Sequence, residues 1–265
     1  MRVFFFLVLI IFSFSSVCFG QVQRIVSLAP SVTEAIYYLG AIDKVVGVSN
    51  YCKWPEEIKN RTKVGGMINP SYEKILALKP DIVVISKEVT PKEVYQRLIE
   101  LGLKVHVYAP QSLKDIPDEL IKLGRIIGKE KEAVSVGNEF LKNINRIKKS
   151  FKGQRALFVI WAEPLTVVGK KSHINEVMNL IGLTNIAESS SINIERVIKM
   201  NPEIIFFGVA HKSAYSESLI LKLKDTDAVK NGKIYCVSDK IYHLSPRIID
   251  GIVEMTYRIS KCTKY

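Results

Sequence analysis

A chain of 265 residues with 48% hydrophobic composition can bury a core without staples, and four widely spaced cysteines with no C-x-x-C pair exclude a disulfide scaffold or a zinc site. The formal charge of +12 is strongly basic. The cations are nevertheless spread over helical segments, with no nucleic-acid motif or clustered stripe, so we read a solvated lysine-rich surface and no nucleic-acid partner.

Residues 1–20 carry one charge, Arg2, then an apolar run from Val3 to Phe12, then small and polar residues up to Gly20. This is the pattern of a secretory signal peptide. Ser13, Ser15 and Ser16 cut the run well short of the roughly 20 apolar residues that a membrane span needs. Cleavage after Gly20 is expected, which places the mature chain in the periplasm. A lipid anchor at Cys18 is the lesser alternative, because Val17 stands where lipoprotein signals carry a small residue. Cys52, Cys236 and Cys262 then remain, so one bridge is allowed and at least one thiol stays free.

From residue 21 onward, short β-rich runs alternate with helical patterns, the signature of parallel βα units. Strands are expected at 24–28, 45–49, 81–86 and 104–108, with helices in SVTEAIYYLG, SYEKILALK and PKEVYQRLIELG. Next comes KEKEAVSVGNEFLKNINRIKKSF, where Ala133, Gly137, Phe140, Ile144, Ile147 and Phe151 recur at helical spacing. As one helix of 23 residues it would span about 35 Å and bridge two lobes. Beyond it, strands are expected at 155–160, 165–169, 203–208 and 233–238, with helices in HINEVMNLIG, NIERVIKMN, ESLILKLKD and SPRIIDGIVEMTYRIS.

An internal repeat organises this pattern: SYEKILALKPDIVVIS (71–86) matches NIERVIKMNPEIIFFG (193–208) at a constant offset of 122 residues. Each copy runs cap residue, helix, proline, acidic residue, buried strand. The expected fold is α/β, with two Rossmann-like lobes joined by one long helix. Its divisions are a signal peptide at 1–20, an N-terminal lobe at 21–127, a bridging helix at 128–151 and a C-terminal lobe at 152–265.

Open α/β lobes bind ligands beyond the carboxyl ends of their strands. The loops at those ends hold Tyr51, Trp54, Met67, Trp161 and Tyr242, flat or polarizable surface suited to a large planar ligand. Catalytic signatures are missing. Gly47-Val48-Ser49-Asn50-Tyr51 lacks the last glycine of a nucleophile elbow, and Gly169-Lys170-Lys171-Ser172 lacks the leading glycine of a phosphate loop. There is no H-E-x-x-H, and His106, His173, His211 and His243 lie far apart, so neither a catalytic residue nor a metal site is expected. Glu73 and Glu195 sit two residues past the matched caps. That placement favours the helix dipole, and it equally offers one exposed carboxylate per lobe for docking.

The segments RIVSLAPSVTEAIYYLG, VVGVSNYCKWPEE, KVGGMINPSYEKILALKPDIVV, INEVMNLIGLTNIA and SPRIIDG together resemble the periplasmic cobalamin-binding proteins, within the iron-siderophore, haem and cobalamin group of ABC-importer binding proteins. The resemblance spans nearly the whole chain after residue 20. It implies a class III periplasmic binding fold, a corrinoid carried as cargo with no resident cofactor, and a monomer serving a permease dimer with its ATPase subunits. It also implies that Glu73 and Glu195 dock on permease arginines, that Tyr51 packs on a corrin ring and that Asp239 bonds to ligand amides. Two positions depart from the group's cobalamin pattern. Met67 replaces a tryptophan, and His243 replaces an arginine, leaving an imidazole able to face a metal. Haem or ferric-siderophore binding is the alternative within transport, with Tyr51, Tyr242 or His243 as iron ligands. An exported hydrolase or a sensory module is the reading outside it.

Overall fold

The computed structural model describes residues 22–208 and 215–257 and the backbone of strand residues 260–261. The signal-peptide segment, Cys18, His211 and Cys262 lie outside the described residues.

The first lobe is a five-stranded sheet of β1 (Ile25–Ser27), β2 (Val45–Val48), β3 (Thr62–Lys63), β4 (Ile82–Ser86) and β5 (Val105–Tyr108). Its order is β3-β2-β1-β4-β5, and every neighbour pairs in parallel. Crossovers between parallel strands require helices, and α1 (Pro30–Tyr38), α2 (Tyr72–Ala77) and α3 (Lys92–Glu100) supply them. Strand β4 is buried along its whole length, as a central strand covered on both faces must be.

The second sheet contains β6 (Arg155–Trp161), β7 (Thr166–Val167), β8 (Thr184–Asn185), β9 (Ile204–Gly208), β10 (Ile234–Val237) and β11 (Ser260–Lys261). Strands β6, β9 and β10 form its parallel centre, while β7 and β11 pair antiparallel at the edges. Its helices are α6 (His173–Leu180), α7 (Ile194–Met200), α8 (Glu217–Lys222), α9 (Asp227–Lys230) and α10 (Ile248–Tyr257). Two lobes with separate sheets are therefore present. Strands β3 and β8, two residues each, carry no readable alternation in the sequence, and the run at 165–169 contributes only the two-residue β7.

The linking segment differs from expectation in two ways. Residues 116–127, to which the sequence reading assigns no element, form α4 (Ile116–Ile127). Pro117 sits in its first turn, where the missing N–H leaves no bond unmade. The bridging helix is α5 (Glu130–Arg146), 17 residues and about 25 Å long, shorter than the expected 23 residues. It stops because Ile147 turns extended (φ −64°, ψ 121°) and the following chain is captured by the second lobe. There the Phe151 amide donates to the Ile181 carbonyl at 3.0 Å and the Gly153 amide to the Gly182 carbonyl at 2.7 Å. The apolar stripe still reads correctly as a buried face: Ala133, Gly137 and Phe140 are buried, and Ile144, Ile147 and Phe151 lie against the core.

The repeat is reproduced in detail. Ser71 accepts a hydrogen bond from the Lys74 amide at 3.4 Å, and Asn193 accepts one from the Arg196 amide at 2.9 Å. Each helix ends at a residue preceding proline, Lys79 or Asn201, and these two are the described non-glycine residues with positive φ, 44° and 46°. Proline disfavours the right-handed helical region for its predecessor, so both helices stop before it. Asp81 accepts from the Gln23 and Arg24 amides at 2.8 Å, and Glu203 accepts from the Arg155 amide at 2.9 Å. Arg24 and Arg155, at the start of β1 and β6, donate back to the Leu78 and Asn201 carbonyls at 3.0 and 3.1 Å, anchoring each short helix to its sheet.

One hydrophobic cluster runs through both lobes, from Ile25 and Tyr108 through Phe140 to Phe158 and Ile252. Smaller clusters cover the outer face of each sheet.

Candidate functional site: the cleft between the lobes

The strand order of the first sheet reverses direction between β1 and β4, so their carboxyl ends splay apart and leave a crevice. Pro30 and Ser31 follow β1, and Glu88 and Val89 follow β4. All four line a cleft of about 320 Å³. Its opposite wall comes from the ends of β6 and β10, which present Ile160, Asp239, Tyr242 and His243. Tyr51, Lys53 and Met67 complete it from the loops around β3.

Of the residues expected to contact ligand, Tyr51, Met67, Asp239, Tyr242 and His243 are brought together here. Tyr51 is half exposed, available to a flat partner. Trp54 and Trp161 are placed elsewhere. The Trp54 ring packs on Tyr37 at 4.5 Å between centroids, with the Arg247 guanidinium 4.6 Å above its face. It serves as a wall behind the cleft, because the turn after Cys52 folds it back onto α1. The Trp161 indole donates to the Glu163 carbonyl at 2.8 Å, which holds the ring along its own loop, while its neighbour Ile160 faces the cleft. Glu88, Val89 and Ile160 escape the sequence reading. The rule that ligands sit past strand ends applies to β4 as well as to β1, and it would have found the first two.

Beneath the cleft, the lobes are joined through Glu34 of α1, which is 1% exposed. Its carboxylate accepts from His243 Nδ1 at 2.8 Å, from Ser245 Oγ at 2.5 Å and from Arg247 Nη1 at 2.8 Å. Burial alone would raise the pKa of Glu34. The hydrogen bond and charge of His243, with the Ser245 and Arg247 donors, outweigh it and hold the carboxyl below its ordinary value. Because Glu34 is ionised it can only accept, so His243 Nδ1 is the donor in their bond. Arg247 also lies 3.7 Å from Asp239 on the cleft wall.

Further ties between the lobes surround this one. Tyr108 Oη donates to the Leu244 carbonyl at 3.0 Å, and the Leu113 amide donates to Glu176 at 3.0 Å. Within the second lobe His173 Nε2 donates to the Ile241 carbonyl at 3.2 Å, while its Nδ1 lies 3.8 Å from Glu88 of the first lobe. Burial pushes the Glu88 pKa up, opposed by the charge of His243, and lowers that of His173, first through burial.

Glu73 and Glu195 are exposed in the first turns of α2 and α7, on corresponding surfaces of the two lobes. Cys236 is disulfide-bonded, and Cys52 is a buried free thiol near Ser49 and Thr33.

Two α/β lobes, each with a parallel-centred sheet, facing across a ligand-sized gap define a solute-binding protein of the class III periplasmic type. A profile of the periplasmic binding protein family matches residues 25–240, and the chain belongs to that family. It is 30% identical over 254 residues to an uncharacterized ABC transporter substrate-binding lipoprotein, YvrC, of Bacillus subtilis, with 89% of this chain and 80% of that protein covered. The crystal structure of the periplasmic vitamin B12 binding protein BtuF of Vibrio cholerae matches with a TM-score of 0.74 at 25% identity, over 89% of this chain and 95% of that one. A periplasmic heme binding protein from Pseudomonas aeruginosa shares the fold, with a TM-score of 0.79 at 24% identity over 92% and 96% of the two chains. The chain is thus an ABC transporter substrate-binding protein of the group that the sequence resembles, and its named relatives are binding proteins that act outside the cytoplasm.

Proposed function

We propose that this protein is exported by its N-terminal signal peptide, captures a corrinoid in the inter-lobe cleft and delivers it to a membrane importer without catalysing a reaction. The observation that carries this reading is the convergence of Tyr51, Met67, Tyr242 and His243 with Asp239 on one cleft at the facing strand ends. An apolar wall with a few directed polar groups suits a broad macrocycle edged with amides: the ring stacks, and the carboxylate accepts from the amides. A cleft of about 320 Å³ holds part of such a ligand and leaves the rest in the mouth. A solved structure similar to this chain is that of a vitamin B12 binding protein, which supports the same ligand class. Haem is the second reading, favoured by the half-exposed Tyr51 phenol and the His243 imidazole lining the same cleft.

Calorimetric titration with cyanocobalamin and, separately, with haemin decides between them. Saturable heat and co-elution with cyanocobalamin are expected; their absence at tens of micromolar removes the corrinoid assignment, and a Soret band that survives desalting replaces it with haem.

For delivery, Glu73 and Glu195 are read as the two contacts with basic groups of a permease dimer. The double variant Glu73→Ala/Glu195→Ala is expected to keep full ligand affinity while losing at least tenfold in affinity for the reconstituted importer, about 1.4 kcal/mol. Unchanged importer binding removes the docking role.

A further inference from the structure

A cleft of about 320 Å³ takes only part of a broad macrocycle, so groups attached to the ring must find space beyond it. One such space adjoins the cleft. Glu88 lines the cleft and also lines a second compartment of about 420 Å³ between the lobes. The first lobe supplies Lys87 beside Glu88 and Gln111 after β5, and the second supplies Lys171, Ser172 and His173 at the start of α6.

Lys87 and Lys171 are exposed, come from opposite lobes and border this one gap. Among the described residues neither ammonium group makes an ion pair, whereas the adjacent Lys170 is neutralised by Glu188. Like charges on the two sides of a gap repel as the lobes approach, and an anion between them turns that repulsion into attraction from both sides. Glu88 is the one carboxylate among the described lining residues, and burial moves its pKa up, which weakens its opposition to an anion. Ser172 Oγ accepts from the Ile174 amide at 3.2 Å, so its own proton is free to donate. His173, 8% exposed at its side chain, commits Nε2 to the Ile241 carbonyl and closes the lining on the side of Glu88.

Resting on the corrinoid or haem reading above, we propose that this compartment is an anion subsite in which Lys87 and Lys171, one from each lobe, grip an anionic arm of the cargo. The arm is a phosphate group on a corrinoid or a propionate on a haem, and Gln111 and Ser172 add neutral donors to it. Packing in the main cleft then sets the class of ring, and the second compartment selects within that class for cargo carrying an anion. Because each lobe holds one of the two cations, the arm also ties the lobes together across the gap.

The test compares cobinamide phosphate with cobinamide, which differ only in the phosphate, and in a second arm haemin with its dimethyl ester. Affinities are measured by titration at low and high salt. Wild-type protein is expected to bind the anionic member of a pair about tenfold more tightly at low salt, a preference that fades at high salt. Lys87→Gln/Lys171→Gln is expected to bind both members with the affinity that wild type shows for the neutral one. Lys222→Gln/Lys224→Gln removes the same charge outside the compartment and should keep the preference. The pair that shows the preference identifies phosphate or carboxylate as the anion. Equal affinities within both pairs, a preference that survives in Lys87→Gln/Lys171→Gln, or one lost equally in Lys222→Gln/Lys224→Gln overturns the subsite and leaves the proposed function standing. Failure of all four compounds to bind overturns the two together.

Discussion

Replacement of Glu34 by alanine is expected to lower folding stability by about 3–5 kcal/mol, the cost of breaking a buried ion pair by removing one partner. Arg247 is 8% exposed and would lose its bonded carboxylate, with Asp239 at 3.7 Å and the Trp54 face as what remains. Ser245, fully buried, would lose its acceptor at the same time. Urea unfolding at neutral pH measures the loss as a lower midpoint at unchanged slope.

The same residue predicts an acid dependence. The folded-state pKa of Glu34 lies below its ordinary value of 4.5, so the stability it contributes is fully present above that value. It is lost as the pH falls below 4.5 toward the folded-state pKa, where the native carboxylate finally takes up a proton. Glu34→Gln, which cannot ionise, should start less stable and show a shallower loss through that window. Parallel acid curves for wild type and Glu34→Gln would mean that other carboxylates dominate.

The second large effect is expected at Gly208, the last residue of β9. A Cβ there would collide with the Tyr242 hydroxyl, lie 2.6 Å from Tyr242 Cζ and 2.9 Å from Phe158 Cε1. Those two rings meet edge to face at 6.1 Å, so neither can yield without disturbing the other. Gly208→Ala is expected to cost about 1–3 kcal/mol in stability, as overpacking does, and to weaken ligand binding about tenfold by moving Tyr242 off the cleft wall. Tyr242 Oη is buried with no hydrogen-bond partner among the described residues, so Tyr242→Phe alone should be neutral or slightly stabilising. Combined with Gly208→Ala it should recover part of the loss, and thermal unfolding of the four variants gives the coupling. Strict additivity would show that the glycine answers to something other than this ring.

These effects separate what local pattern reveals from what only folding reveals. The matched copies at 71–86 and 193–208 were legible because caps, prolines and apolar runs act over a few residues, and the structure returns them down to the backbone angles of Lys79 and Asn201. Tyr51, Met67, Asp239, Tyr242 and His243 were legible because they follow strands. Trp54 was not: its partner Arg247 lies almost two hundred residues away and reaches it only when the lobes meet. Glu34 stayed hidden for the same reason. Within α1 it reads as a surface helical glutamate, and its burial is created by Ser245 and Arg247 from the other lobe. Helix α4 shows a third cause, a proline that interrupts a pattern on paper yet occupies a turn with no bond to lose.

The arginine stitches at the base of each repeat bear on how a bound state could be sensed from outside. Arg24 and Arg155 tie the far ends of α2 and α7 to the first strand of their sheets, so each short helix is tethered to its own lobe. A change in the angle between the lobes would then carry over into the span from Glu73 to Glu195. On the docking reading proposed above, the molecule would act as a caliper whose two tips are carboxylates, and a partner gripping both would read the jaw width without touching the cargo.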